Sequence, residues 1–206
     1  ILLAPKNSSF PTYVVLCSIS DFLGLGDFFC LSEIPFSLIN INMSGQFAIH
    51  IKASIFAGFI MSFPYVFWEF WRFVSPALYD NEQKLARRIV FFSSFLFIVG
   101  VLFGYYIIAP LAVNFLGAYQ ISSLVDNQIS INSFISTIMT VCLANGFIFE
   151  LPILVYFLTK IGLLTPDLMR TYRKHAMVIT LILSAIITPP DIISQILVSL
   201  PLVVLY

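Results

Sequence analysis

The chain has 206 residues, of which only 10% are charged, and its ten basic and ten acidic side chains leave a formal net charge of zero. With 60% hydrophobic residues and a mean hydropathy of +1.00, this composition excludes a soluble globular domain and disfavours extended nucleic-acid binding; it is that of an integral membrane protein. No Ser-His-Asp constellation, metal-ligand motif or glycine-rich phosphate loop stands in the sequence, so neither an enzyme nor a cofactor is expected.

The first residue is Ile and the last, Tyr206, falls within an apolar run, so the chain reads as a fragment of a longer one with no visible signal peptide. Residues 1–46 are read as an external loop region that begins with the tail of a preceding span at ILLAP and holds one or two short helices between Pro5, Pro11 and Pro35. Cys17 and Cys30 lie in this region and Cys142 in a later apolar stretch. A bridge between the first two fits a loop facing an oxidising space, but the spacing does not require it.

Residues 47–206 read as an all-α, polytopic helical bundle in the membrane. Five apolar stretches serve as spans: Phe47 to Phe67, Ile89 to Leu116, Ser133 to Thr159, Ala176 to Thr188 and Ile192 to Tyr206. The first three are long enough, at about 1.5 Å per helical residue, to cross a hydrocarbon core of roughly 30 Å. Between the first two spans, Phe63 to Arg88 is expected to be a water-facing connection. Trp68, Phe70 and Trp71 around Glu69 and Arg72 mark the headgroup layer, and Pro76 stops the chain. A new helix then starts at Asp80, capped with Gln83 three residues on, which places Glu82 in its first turn.

Eight of the ten basic residues sit in two places, Arg72, Lys84, Arg87 and Arg88 in the first connection and Lys160, Arg170, Arg173 and Lys174 in the third. Both connections should therefore face the cytoplasm, with Lys6, Lys52 and the acidic loops opposite. Five spans put the chain's ends on opposite sides, so a preceding span would make six and return the N-terminus to the cytoplasm. The last two spans are short, because Thr188-Pro189-Pro190-Asp191 cannot continue a helix. Such a hairpin must thin the bilayer locally or be shielded by neighbours.

Glu150 is the conspicuous polar residue, since it lies deep in the third span within FIFELP. A carboxylate there must face the bundle interior, a wet cavity or a partner. An internal hydrogen bond, to Asn145 or to carbonyls freed by Pro152, and a functional role are equally compatible with the residue types. His50, at the mouth of the first span, and His175, in a basic loop, read as solvated or interfacial.

The succession FWRFVSPALYDNE, GFIFELPILVYFLTKIGLLTP and ITPPDIISQ resembles the TatC family, the multispanning subunits of the twin-arginine protein translocase, over residues 47–206. The resemblance implies a receptor in the bacterial cytoplasmic (inner) membrane that binds paired-arginine signal peptides of folded precursors and assembles with single-span subunits of the TatA and TatB type in a multimeric complex. By position it assigns Phe73, Pro76, Leu78, Tyr79 and Glu82 to the signal-peptide site, with Glu82 as the carboxylate for a guanidinium. It assigns Glu150, Thr188, Asp191 and Gln195 to partner contact or gating. A proton-coupled secondary transporter, with Glu150 and Asp191 in an ion path, is the alternative, although no inverted repeat is evident.

Overall fold

A chain in lipid has no water to satisfy its backbone, so an apolar stretch must close its own hydrogen bonds as helix. The computed structural model describes residues 2–6, 10–23, 36–74, 80–119, 128–160 and isolated positions between 174 and 199; for residues 80–89 it describes the helical backbone alone. In chain order these are a 3-10 turn Ala4–Lys6, α1 Pro11–Leu23, β1 Ser37–Ile39, α2 Gly45–Val74, α3 Asp80–Phe103, a π-helical turn Gly104–Ile108, α4 Ala109–Ala118, β2 Gln128–Ser130 and α5 Ile131–Lys160. Three segments are long and apolar enough to cross a membrane: Gly45–Phe73, Val90–Gly117 and Ile131–Thr159. They coincide with the first three expected spans. The two expected after residue 175 lie outside the described residues, apart from single positions.

One boundary differs from the sequence expectation. The stretch from Phe63 onward does not leave the helix; α2 continues unbroken to Val74 and is 30 residues long, which at 1.5 Å per residue is about 45 Å. Tertiary packing explains the extension, because Trp71 is buried near the tip of α2, with Val90 of α3 in the same cluster, and meets Phe157 of α5 edge-on at 4.4 Å. The expected restart at Asp80 is observed as the first residue of α3.

The core of the bundle is the seam between α3 and α5. A Cβ on Gly100 would lie 2.8 Å from the Asn145 carbonyl oxygen and 3.0 Å from the Gly146 Cα, and one on Gly146 would lie 2.8 Å from the Phe97 ring. Small residues bring helix backbones together in lipid, where packing rather than water drives association. Around this seam Phe97, Ile138 and Cys142 are buried, and the Phe63 ring of α2 stacks on Phe97 at 3.6 Å.

A cap closes one end of the bundle. The loop strands β1 and β2, unforeseen in the sequence, pair in parallel with Ser37 opposite Gln128 and Ile39 opposite Ser130. Beside them α1 lies against the π-helical turn. Pro110 has no N–H to give the carbonyl four residues back, and that carbonyl, on Tyr106, accepts instead from the Thr12 hydroxyl of α1. The Tyr13 hydroxyl lies 3.0 Å from the Pro5 carbonyl and 3.1 Å from the Pro110 carbonyl. Burial pushes this phenol up from 10.0 to about 12.

Because the folded form holds the Tyr13 proton more tightly than the unfolded one, its contribution is complete below pH 10 and is lost as pH rises towards about 12. Tyr13→Phe should loosen the cap by about 1 kcal/mol and flatten this alkaline loss. Hydrogen exchange of α1 amides at two pH values would measure both, and identical alkaline profiles would show that Tyr13 is not the titrating contact.

Candidate functional site

Phe73 stands on the last turn of α2, and its ring is 84% exposed two residues after the buried Trp71. The contrast follows from geometry: with one face of the helix tip held by Phe157, a residue about 200° further round must point away from the bundle. Arg72 beside it is exposed and pairs with Glu69 at 3.6 Å. The Trp71 indole nitrogen is buried without a hydrogen-bond partner. Glu82 belongs to the first turn of α3, where a carboxylate complements the helix N-terminus. Pro76, Leu78 and Tyr79 lie outside the described residues. The structure thus brings Phe73 and the start of α3 to the same end of the bundle, opposite the cap.

Glu150 sits on the α3-facing side of α5, with Pro152 just beyond it in the same helix. Its Oε2 accepts a hydrogen bond from the Ser93 hydroxyl of α3, while its Oε1 is buried without a hydrogen-bond partner. Asn145, the partner considered from sequence, turns elsewhere; its Nδ2 donates to the Val141 carbonyl at 2.9 Å, and its Oδ1 is buried and unpaired. The actual partner, Ser93, is fully buried and 57 residues away in sequence. Its only trace in the sequence is a hydroxyl pair, Ser93-Ser94, in an otherwise apolar run.

Of the hairpin residues, Thr188 and Asp191 lie outside the described residues. Gln195 is described, and its amide lies 3.5 Å from the Leu181 carbonyl, a long contact between the two short segments. Three residues on, Val198 is wholly buried in the cluster of Ile108, Val141, Ile148 and Phe149. Val198 therefore lies beside the part of α5 that precedes Glu150. Among the described residues, no group of His, Cys, Asp and Glu could hold a metal ion.

The sequence profile of a family described as "Sec-independent protein translocase protein (TatC)" matches residues 3–201. The chain is 43% identical over 213 aligned residues, all of this chain and 78% of the relative, to the Sec-independent protein translocase protein TatC of Blattabacterium sp. subsp. Periplaneta americana. It is 40% identical to the Helicobacter pylori protein of that name over 170 residues, 82% of this chain and 67% of the relative. Among solved structures it is similar to the crystal structure of the twin-arginine translocase receptor TatC in DDM, with a TM-score of 0.69 and 34% identity across 95% of this chain and 89% of the other. Nothing in these similarities supports a secondary transporter. A polytopic helical bundle whose three observed spans fall where the sequence placed them, matched along nearly its whole length, belongs to the TatC family of Sec-independent protein translocase proteins.

Proposed function

We propose that the chain is the receptor subunit of a twin-arginine translocase of the bacterial cytoplasmic membrane, binding paired-arginine signal peptides where α2 ends and α3 begins. The observation that carries this is the family match over residues 3–201, taken with an exposed Phe73 ring and the first turn of α3 at one end of the bundle. A signal peptide offers a guanidinium pair followed by an apolar segment. Glu82 supplies the carboxylate for the first, bidentately, and Phe73, with Pro76, Leu78 and Tyr79, supplies apolar surface for the second. Cytoplasmic placement of this end draws on the concentration of basic residues there. It also draws on Cys17 at the cap end, which is disulfide-bonded and so suits an oxidising compartment. In this orientation residues 1–46 form the external region and residues 47–206 the bundle.

The test is capture of a synthetic twin-arginine signal peptide by the full-length protein in proteoliposomes. Binding of the Arg-Arg peptide in preference to its Lys-Lys counterpart is expected, and equal binding of both would overturn the assignment.

Single-span subunits of the TatA and TatB type are assigned to the partner site formed by Glu150, Thr188, Asp191 and Gln195. Glu150 Oε1, buried without a hydrogen-bond partner, offers an acceptor to a donor on an incoming helix. Such bonds contribute about 0.6 to 2 kcal/mol in membranes. Gln195→Leu should reduce co-purification of the single-span partner while leaving peptide capture intact; loss of capture with partner binding unchanged would reverse the assignment.

A further inference from the structure

The cap end holds a pocket of about 210 Å³ that neither the peptide site nor the partner site uses. Its floor is apolar: Phe36 beside β1, Val113 and Leu116 of α4, Ile129 of β2 and Phe134 of α5. Two hydroxyl residues, Ser133 and Thr137, complete the wall. The Thr137 hydroxyl is spent on the Ser133 carbonyl, 3.0 Å away within α5. An apolar cavity of roughly 150 Å³ already stays dry and takes up hydrophobic guests, so this one suits an alkyl chain. It opens at the ends of two membrane spans, which close at Gly117 and begin at Ile131, so the chains that reach it are those of lipids.

Charge at the rim decides which lipid. Only Lys6 and Lys52 among the ten basic residues lie outside the two basic connections, and each stands beside a residue that lines the pocket or adjoins its lining. Lys6 Nζ stands 5.9 Å from the centroid of the Phe36 ring that lines it. Lys52 Nζ donates to Asn132 Oδ1 at 2.9 Å, and Asn132 immediately precedes Ser133 in the wall. Among the described residues neither lysine has a carboxylate partner, the one ion pair being Arg72 with Glu69.

We propose that this pocket binds an anionic phospholipid, one acyl chain lying between Val113 and Phe134 and the phosphate facing Lys6 and Lys52. Lipid held there braces the strand pair and α1 against the spans without touching the residues assigned to signal peptide or partner.

The experiment uses the full-length protein in liposomes that carry phosphatidylglycerol with a photoactivatable diazirine in its acyl chain, or phosphatidylcholine with the same chain. After irradiation, label should concentrate on peptides spanning residues 113–116 and 133–137, and more so with phosphatidylglycerol. Thr137→Trp fills the pocket and should cut labelling at these peptides about tenfold while leaving that on α2 unchanged. Lys6→Gln with Lys52→Gln should bring the ratio of the two lipids to about one, since each lysine near an anionic headgroup adds a comparable electrostatic increment. Label spread evenly over lipid-facing positions, or unaffected by Thr137→Trp, overturns the site. Equal labelling by both lipids in the unaltered protein overturns the anionic class. Should Thr137→Trp fail to fold, the lysine pair decides.

Discussion

Replacing Gly100 with leucine should separate α3 from α5 and lower the apparent melting temperature of the detergent-solubilised protein by several degrees. A Cβ there already meets the Asn145 carbonyl at 2.8 Å and the Gly146 Cα at 3.0 Å, and both are backbone atoms of a helix that cannot rotate away. Overpacking of this kind costs about 1 to 3 kcal/mol or more, and each kcal/mol corresponds to about 2 to 4 °C in a domain of this size. Gly58 is the internal control, because its Cβ would meet nothing within 4 Å. Gly58→Ala should leave stability unchanged or raise it by up to about 1 kcal/mol through helix propensity. Equal melting shifts for Gly100→Leu and Gly58→Ala would show that the seam is not what holds these spans together. Ser93 and Glu150 lie on the same seam, so the Gly100 variant should also disturb their hydrogen bond.

Glu82→Gln should weaken capture of an Arg-Arg signal peptide by roughly tenfold to a hundredfold, as expected for a charge-assisted bond of about 1.5 to 3 kcal/mol. The substitution keeps the side chain's shape and removes its charge. If Glu82 serves only the N-terminus of α3, its loss costs about 0.3 to 1 kcal/mol of helix stability. In that case the Arg-Arg and Lys-Lys peptides would weaken together with a fall in melting temperature. Peptide affinity measured for both sequences, alongside thermal unfolding, separates the two roles. An unchanged preference for Arg-Arg in the variant would make Glu82 structural.

Phe73 could be named from the resemblance, but its accessibility depends on Trp71 being pinned by Phe157, a contact between residues 86 positions apart. Glu150 stood out because a carboxylate in an apolar run is costly and therefore purposeful. Its partner did not, since hydroxyls in membrane helices commonly bond back to their own chain, as Thr137 and Thr159 do here.

The sequence by itself determined the class of the protein and the location of three spans, because hydrocarbon thickness and the demand for satisfied backbone groups leave a long apolar stretch one solution. It also determined the family, through loop segments whose residue order is specific, and the start of α3 at Asp80. Only the tertiary structure decided how far α2 extends, which hydroxyl meets Glu150, how β1 and β2 pair across 91 residues of chain, and which residues Lys6 and Lys52 stand beside. These depend on which helix faces meet, and in lipid every face of such a helix is apolar, so hydrophobic periodicity carries little information about neighbours. Packing of small residues and a few buried hydrogen bonds make that choice, and both become visible only once the helices are side by side.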